Sequence, residues 1–257
     1  TPASPQNIGG LVGSIQSEEV ELWPTISISN SFVETDITAN ENSNTGGLIG
    51  FSSINSAFIY INSSYFKGNI TSTSKEDNVS CIGGLAGSVT NVTIDKSFVN
   101  GNIKTGADFS IGGFVGQVNG NQAAITNSYQ IGSIRDEKAQ YKGLFIGSNP
   151  KIDAFMNIRS VYSVPDSGSS LEPVGYSETT PSFSGFIADE NGADDLKNPD
   201  NENKVKPDLL KQRSAAYLLN LQTDAPDMAP ELSPWTQNPD SNDGYPIIKP
   251  ESYYPIY

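Results

Sequence analysis

Apolar and glycine positions recur along this chain in two interleaved patterns, and their spacing predicts strands rather than helices. The first is a glycine-framed apolar pair. Gly9-Gly10-Leu11-Val12-Gly13 returns as Gly46-Gly47-Leu48-Ile49-Gly50, Gly83-Gly84-Leu85-Ala86-Gly87 and Gly112-Gly113-Phe114-Val115-Gly116, with a degenerate copy at Gly143-Leu144-Phe145-Ile146-Gly147. The closing glycines lie 37, 37, 29 and 31 residues apart. The second pattern is Ile-x-x-x-aromatic followed five residues later by Ile: Ile28/Phe32/Ile37, Ile61/Tyr65/Ile70, Ile94/Phe98/Ile103 and Ile125/Tyr129/Ile134, with Ile158/Tyr162 opening a fifth. Its leading isoleucines are 33, 33, 31 and 33 residues apart, so length variation falls in loops such as Ala39 to Thr45 and Ser72 to Ser80.

Repeats of this length, with short β-branched stretches, glycine punctuation and no helical periodicity, predict a solenoid in which one repeat makes one turn. Helical repeats share the length but not the composition, since each glycine costs a helix about 1 kcal/mol. The expected fold is all-β: a right-handed parallel β-helix of about five rungs over residues 1–164, then an irregular C-terminal region, 165–257. In such a fold like residues stack at about 4.8 Å. The ladder Leu11, Leu48, Leu85, Phe114, the ladder Phe32, Tyr65, Phe98, Tyr129 and the column Ile28, Ile61, Ile94, Ile125 are the expected core. Each side chain buried there contributes roughly 1.5–3 kcal/mol.

Two details follow from the pattern. The motif glycines serve either turns with positive φ or close approach, where a missing side chain makes room for aromatic rings; both readings stay open at this stage. Strict alternation from the leading isoleucines would point Asn30, Ser63, Lys96, Asn127 and Ser160 inward, and a buried lysine is costly, so a bend is expected there.

The paired motifs resemble the GLUG-motif repeats, named for Gly-Leu-bulky apolar-Gly, of bacterial surface proteins and some IgA-cleaving metallopeptidases. The resemblance covers roughly Ile8 to Val164 in five imperfect copies. It implies an extracellular or cell-surface, adhesin-like β-helical module. In the peptidases the zinc-dependent activity resides in a separate domain, of which nothing is present in this sequence. The final stretch, Trp235 to Ile248, looks like the Trp-to-Tyr-Pro ending that follows such repeats.

Beyond Val164 the periodicity fades. Pro165 to Pro207 is polar, acidic and rich in Gly, Pro and Ser, and reads as irregular loops. Apolar residues at 209, 210, 217, 218 and 221 predict an amphipathic helix over about 207–222, starting at Pro207 or Asp208. That helix, Trp235 and Tyr245 are the expected plug over the last turn, whose edges and core need cover. The sequence starts at a glycine motif with no preceding isoleucine–aromatic half, so the first turn is expected to be incomplete and to meet an upstream segment or another subunit.

Charge narrows the partners. With 29 acidic and 15 basic residues the net charge is −14, which repels phosphates and anionic membranes at long range. No apolar run approaches the roughly 18–20 residues needed to cross a bilayer, and Thr1-Pro2-Ala3-Ser4-Pro5 lacks signal-peptide character. The sequence reads as a mature product or an excised segment. The lone Cys81 sits in an apolar stretch and reads as core, not as a reactive thiol. Sequons at Asn62, Asn69, Asn78 and Asn91 are glycosylation candidates if the chain passes through a secretory pathway.

Candidate chemistry is sparse. The chain has no histidine, which removes the commonest general base, the HExxH zinc site and the Ser-His-Asp triad, and it has no phosphate-binding fingerprint. No cofactor and no catalytic residue are expected. Calcium has two weak sets of oxygens, Asp189/Asn191/Asp194 and Asp240/Asn242/Asp243, neither with full EF-hand spacing; solvated acidic loops are the plainer reading. The expected function is a non-catalytic surface or adhesion module that presents loops to a protein or glycan receptor. Alternatives are a subunit of a secreted filament stacking on copies of itself and, less favoured, a polysaccharide-active enzyme using carboxylates.

Overall fold

The computed structural model describes residues 6–16, 24–39, 43–53, 57–73, 80–106, 109–135, 138–164, 171–193, 204–211, 216, 219, 235–237, 240 and 242–248, with the backbone alone at 186, 188–193 and 210. Each repeat forms one coil with four faces. The first face stacks Gln6–Gly9, Ser43–Gly46, Cys81–Gly83, Ser110–Gly112 and Tyr141–Gly143. The second stacks Val12–Ile15, Ile49–Ser52, Ala86–Val89, Val115–Val118, Ile146–Asn149 and Val174–Ser177. The third begins with Thr25–Ser29 and Phe32–Glu34 and runs through their counterparts to Ser182–Ala193 and Lys204–Val205; the fourth holds Ile37–Ala39, Ile70–Ser72, Ile103–Lys104 and Ile134–Arg135. The pairings between these coils are parallel, so the protein is a parallel β-helix.

Among the described residues four coils carry strands on all four faces, where five rungs were expected, and later coils add strands to the first three faces.

Register follows the motifs. Gly9, Gly46, Gly83, Gly112 and Gly143 pair in one column, as do Ile28, Ile61, Ile94, Ile125 and Ile158. Leu48, Leu85, Phe114 and Ile61, Ile94, Ile125 are fully buried, whereas Leu11, in the first coil, is 45% exposed because no described strand covers it.

The bend expected on the third face is a column of left-handed residues. Asn30, Ser63, Lys96, Asn127 and Ser160 have φ of 48–53°, and Lys96 turns its ammonium to Asp95, 2.8 Å away. A serine bridges three of the bends: Ser64 Oγ donates to the Asn62 carbonyl at 2.8 Å and accepts the Ser31 N–H at 3.2 Å, and Ser97 and Ser128 repeat the device.

That bend overturns one expected core ladder. A single left-handed residue shifts the phase of alternation, so the inward positions after it are Val33, Phe66, Val99 and Gln130, not their aromatic predecessors. Phe32, Tyr65, Phe98 and Tyr129 form an outer column instead. Their rings stack at 5.1, 4.5 and 5.1 Å with planes within 7° of parallel, and Phe32 at the start is 58% exposed.

The motif glycines serve close approach. None of them has positive φ. A Cβ on Gly84 would lie 2.2 Å from the Gly113 carbonyl oxygen and 2.7 Å from Val99, and one on Gly47 would meet the Phe66 ring at 2.3 Å. The second glycine of each pair therefore admits both the next coil and the inward side chain opposite.

The C-terminal segment covers the aromatic column from the side. Phe98, Tyr129 and Tyr162 cluster with Val205, Ala216, Leu219, Trp235 and Tyr245, and Trp235 pairs antiparallel with Ile248. Trp235 and Tyr245 thus lie on the flank rather than forming the axial plug expected of them, because the outward aromatics are the apolar surface that needs burial. The described helix is Pro207–Leu210, with Ala216 and Leu219 also helical; the rest of the expected 207–222 helix lies outside the described residues. Among the described residues no helix is long and apolar enough to cross a membrane.

Candidate functional site

Ladders of polar side chains on the outer faces hold coil to coil. Asp36 accepts the backbone and side-chain N–H of Asn69 at 2.7 and 3.0 Å, Asn69 accepts those of Asn102 at 3.1 Å, and Asn102 accepts the Ser133 N–H and hydroxyl at 2.9 and 2.8 Å. Asp95 likewise accepts Thr126 and Asn127 at 2.7 and 2.9 Å. These are the side-chain ladders that identical residues in register produce.

The glycosylation candidates separate on this basis. Asn62 is exposed, and its side-chain oxygen accepts the Ser63 hydroxyl. Asn69 is exposed, but its amide nitrogen belongs to the ladder on Asp36. Asn91 is a correction: it is 6% exposed, its amide donates to the Ala57 carbonyl at 3.2 Å and its oxygen accepts the Gln122 N–H at 3.1 Å, so it does not present a free amide. Asn78 lies outside the described residues.

In the second calcium set, Asn242 accepts the Asn100 amide at 2.8 Å and donates to the Tyr129 hydroxyl at 2.8 Å, which binds the C-terminal segment to the aromatic column. Asp240 and Asp243 stand near it in the chain, and no group of three or more acidic, Cys or His ligands gathers among the described residues. Asp194 and the side chains of Asp189 and Asn191 lie outside the described residues. Cys81 is buried, with Sγ 3.6 Å from Gln117.

The aromatic flank is electrostatically quiet. Burial raises the Tyr129 hydroxyl well above its ordinary value, and raises Tyr245 to about 12 with help from Asp208 and Asp243. Burial also raises Tyr65 to about 12, reinforced by its 3.0 Å hydrogen bond to Glu34. These phenols are neutral hydrogen-bonding groups at physiological pH.

The site that sequence reasoning missed is a groove at the corner between the second and third faces. The corner is Thr90 alone in the third coil and 119–121 in the fourth, against 150–154 in the fifth, while 54–56 of the second coil lie outside the described residues. The dip at the short corners is a saddle of about 550 Å³. Its lining includes Phe51, Phe58, Asn119, Asn121, Gln122 and Lys151. The signal was available in the spacing: the isoleucine count holds near 33 while the glycine interval falls from 37 to 29, because the shortened segments lie outside the isoleucine–aromatic unit.

The saddle's chemistry is mixed. Phe51 and Phe58 are half-buried, Asn121, Gln122 and Lys151 are exposed, and no carboxylate lines it. Asn119 donates to Ser88 at 2.9 Å, which fixes its amide. Ser52, also in the lining, is 2% exposed, and its hydroxyl has no hydrogen-bond partner. Such a concave patch, part aromatic and part amide, suits noncovalent recognition. No protein-family model, curated protein or solved structure matches this chain.

Proposed function

We propose that this chain is a non-catalytic extracellular adhesion module, in which the β-helix is a rigid scaffold and the saddle with its flanking corner loops meets a receptor. The saddle carries this reading: it is a place where a regular solenoid departs from its repeat, and it holds the uncommitted amides of Asn121 and Gln122 beside partly exposed aromatic rings. Binding residues commonly sit on loops held by a rigid frame. The resemblance to GLUG-motif surface repeats and the acidic, Asn- and Ser-rich composition support an extracellular or cell-surface setting. The test is adhesion of protein-coated beads to receptor-bearing surfaces under flow, comparing the native chain with one carrying four extra residues after Thr90, which would fill the saddle. Equal adhesion by both, or none by either, would exclude it.

A second reading, a subunit that stacks into filaments, is favoured by the outer edge of the first coil. Among the described residues no strand pairs with it, and Leu11 and Phe32 are exposed there. An open parallel edge topped by apolar side chains is a template for another coil. Negative-stain microscopy separates the readings, since regular polymers follow only from the second.

A further inference from the structure

We infer that the saddle is a binding site for a short, uncharged glycan; this rests on the adhesion reading and names its receptor class. Three features of the lining point to sugar. First, the rings stand apart along one column. Phe58 pairs with Asn91 and Phe155 with Gln122, and the Gln122 N–H bonds Asn91 directly, so two amide positions separate two aromatic ones. At about 4.8 Å per coil the backbone positions that carry these rings are roughly 14 Å apart. Phe155 is 62% exposed and stands at the far end of the column, beside the groove rather than in its lining. Aromatic faces at that separation, with polar groups between, match a chain of rings whose faces are C–H and whose rims are hydroxyl.

Second, two amides of the lining are free to act. Asn121 and Gln122 are exposed, and their side chains make no hydrogen bond among the described residues. Each offers both donors and an acceptor, the pairing that a hydroxyl needs in both directions.

Third, the alternatives fit less well. A peptide recognised by strand addition needs an open edge, whereas the strands beneath the saddle, Ile49–Ser52, Ala86–Val89, Val115–Val118, Asn91–Asp95 and Gln122–Ile131, are paired on both sides. Cations would require carboxylates, and none lines the groove. Acidic glycans meet the repulsion of a chain with net charge −14, against a single lining cation, Lys151.

The decisive experiment is a glycan array holding galactose-, mannose-, fucose- and N-acetylglucosamine-terminated neutral glycans beside sialylated and uronate-bearing ones, followed by calorimetric titration of the best binder. The variants are Asn121→Ala/Gln122→Ala, whose side chains hold nothing in the fold, and Lys104→Ala on the distant fourth face. The expected result is binding to neutral glycans, weakened at least tenfold by the double substitution and unchanged by Lys104→Ala. No neutral binder, preference for acidic glycans, or undiminished binding by the double variant would overturn the proposal. If the array stays blank while bead adhesion is still lost on filling the saddle, the glycan assignment fails and the adhesion reading survives; if both are blank, both fail.

Discussion

Five left-handed residues carry the bend of the third face, and three of them, Ser63, Lys96 and Ser160, are types that this conformation disfavours by about 1–2 kcal/mol. Ser63 loses only an exposed hydrogen bond to Asn62 on replacement. Ser63→Gly is therefore expected to stabilise the protein by about 0.5–1 kcal/mol, read as a higher urea midpoint. Lys96→Val should lower stability by about 2 kcal/mol, since a β-branched side chain is worst tolerated at positive φ and the ion pair it removes, half-exposed, contributes little. Glycine has the opposite role in the motif. At Gly84 the backbone angle is ordinary but the Gly113 carbonyl and Val99 leave no room, so Gly84→Ala should cost about 3 kcal/mol or more through overpacking. An unchanged midpoint would show that neighbouring coils can part cheaply, contrary to the packing described.

At the scale of elements, the left-handed bend moves the aromatic column from the core to the flank, where the C-terminal segment buries part of it. Tyr129 and Tyr245 are held neutral there, Tyr245 up to about 12 against an ordinary 10.0. Between those values the unfolded or detached tyrosine loses its proton while the packed one keeps it, so stability falls as pH rises through that window and is fully present below it. Alkaline titration should thus release the C-terminal segment between pH 10 and 12, before the coils unfold. The readout is Trp235 fluorescence in a Trp23→Phe background, with far-ultraviolet dichroism as the reference; simultaneous loss of both signals would contradict it. The sequence made the stacking of Gly9 to Gly143 and of Ile28 to Ile158 legible, because identical residues recur at positions that share a register. It misled at Phe32, Tyr65, Phe98 and Tyr129, because alternation counted from isoleucine takes no account of one residue with positive φ. The second isoleucine of each repeat had the spacing right, since the bend and the turn after it shift the phase together. The saddle escaped notice because it is made of missing residues, and a shortened corner leaves no motif to find.

For the molecule as a whole, strand pairing runs between neighbouring coils, so stability is close to a sum of coil and interface terms to which the C-terminal segment adds its own. Two features make that sum uneven. The first coil lacks a partner on one side among the described residues, which leaves Leu11 exposed and Ile28 at the rim of the core. The C-terminal segment clamps Phe98, Tyr129 and Tyr162 of the third to fifth coils, while Phe32 lies beyond its cover. The middle should therefore be the most cooperative part and the first coil the least. Ile94→Ala, which opens a cavity between two flanking coils, is expected to cost about 4 kcal/mol, against about 2 kcal/mol for Ile28→Ala at the rim. Amide exchange should show the same gradient without mutation: slow in Asn91–Asp95 and Val115–Val118, faster in Val12–Ile15 and Thr25–Ser29. If stacking on another coil is the working state of that first edge, exchange in Val12–Ile15 will slow as protein concentration rises and polymers form. Uniform protection at every concentration would mean that the solenoid opens as a single unit, which nearest-neighbour packing does not allow.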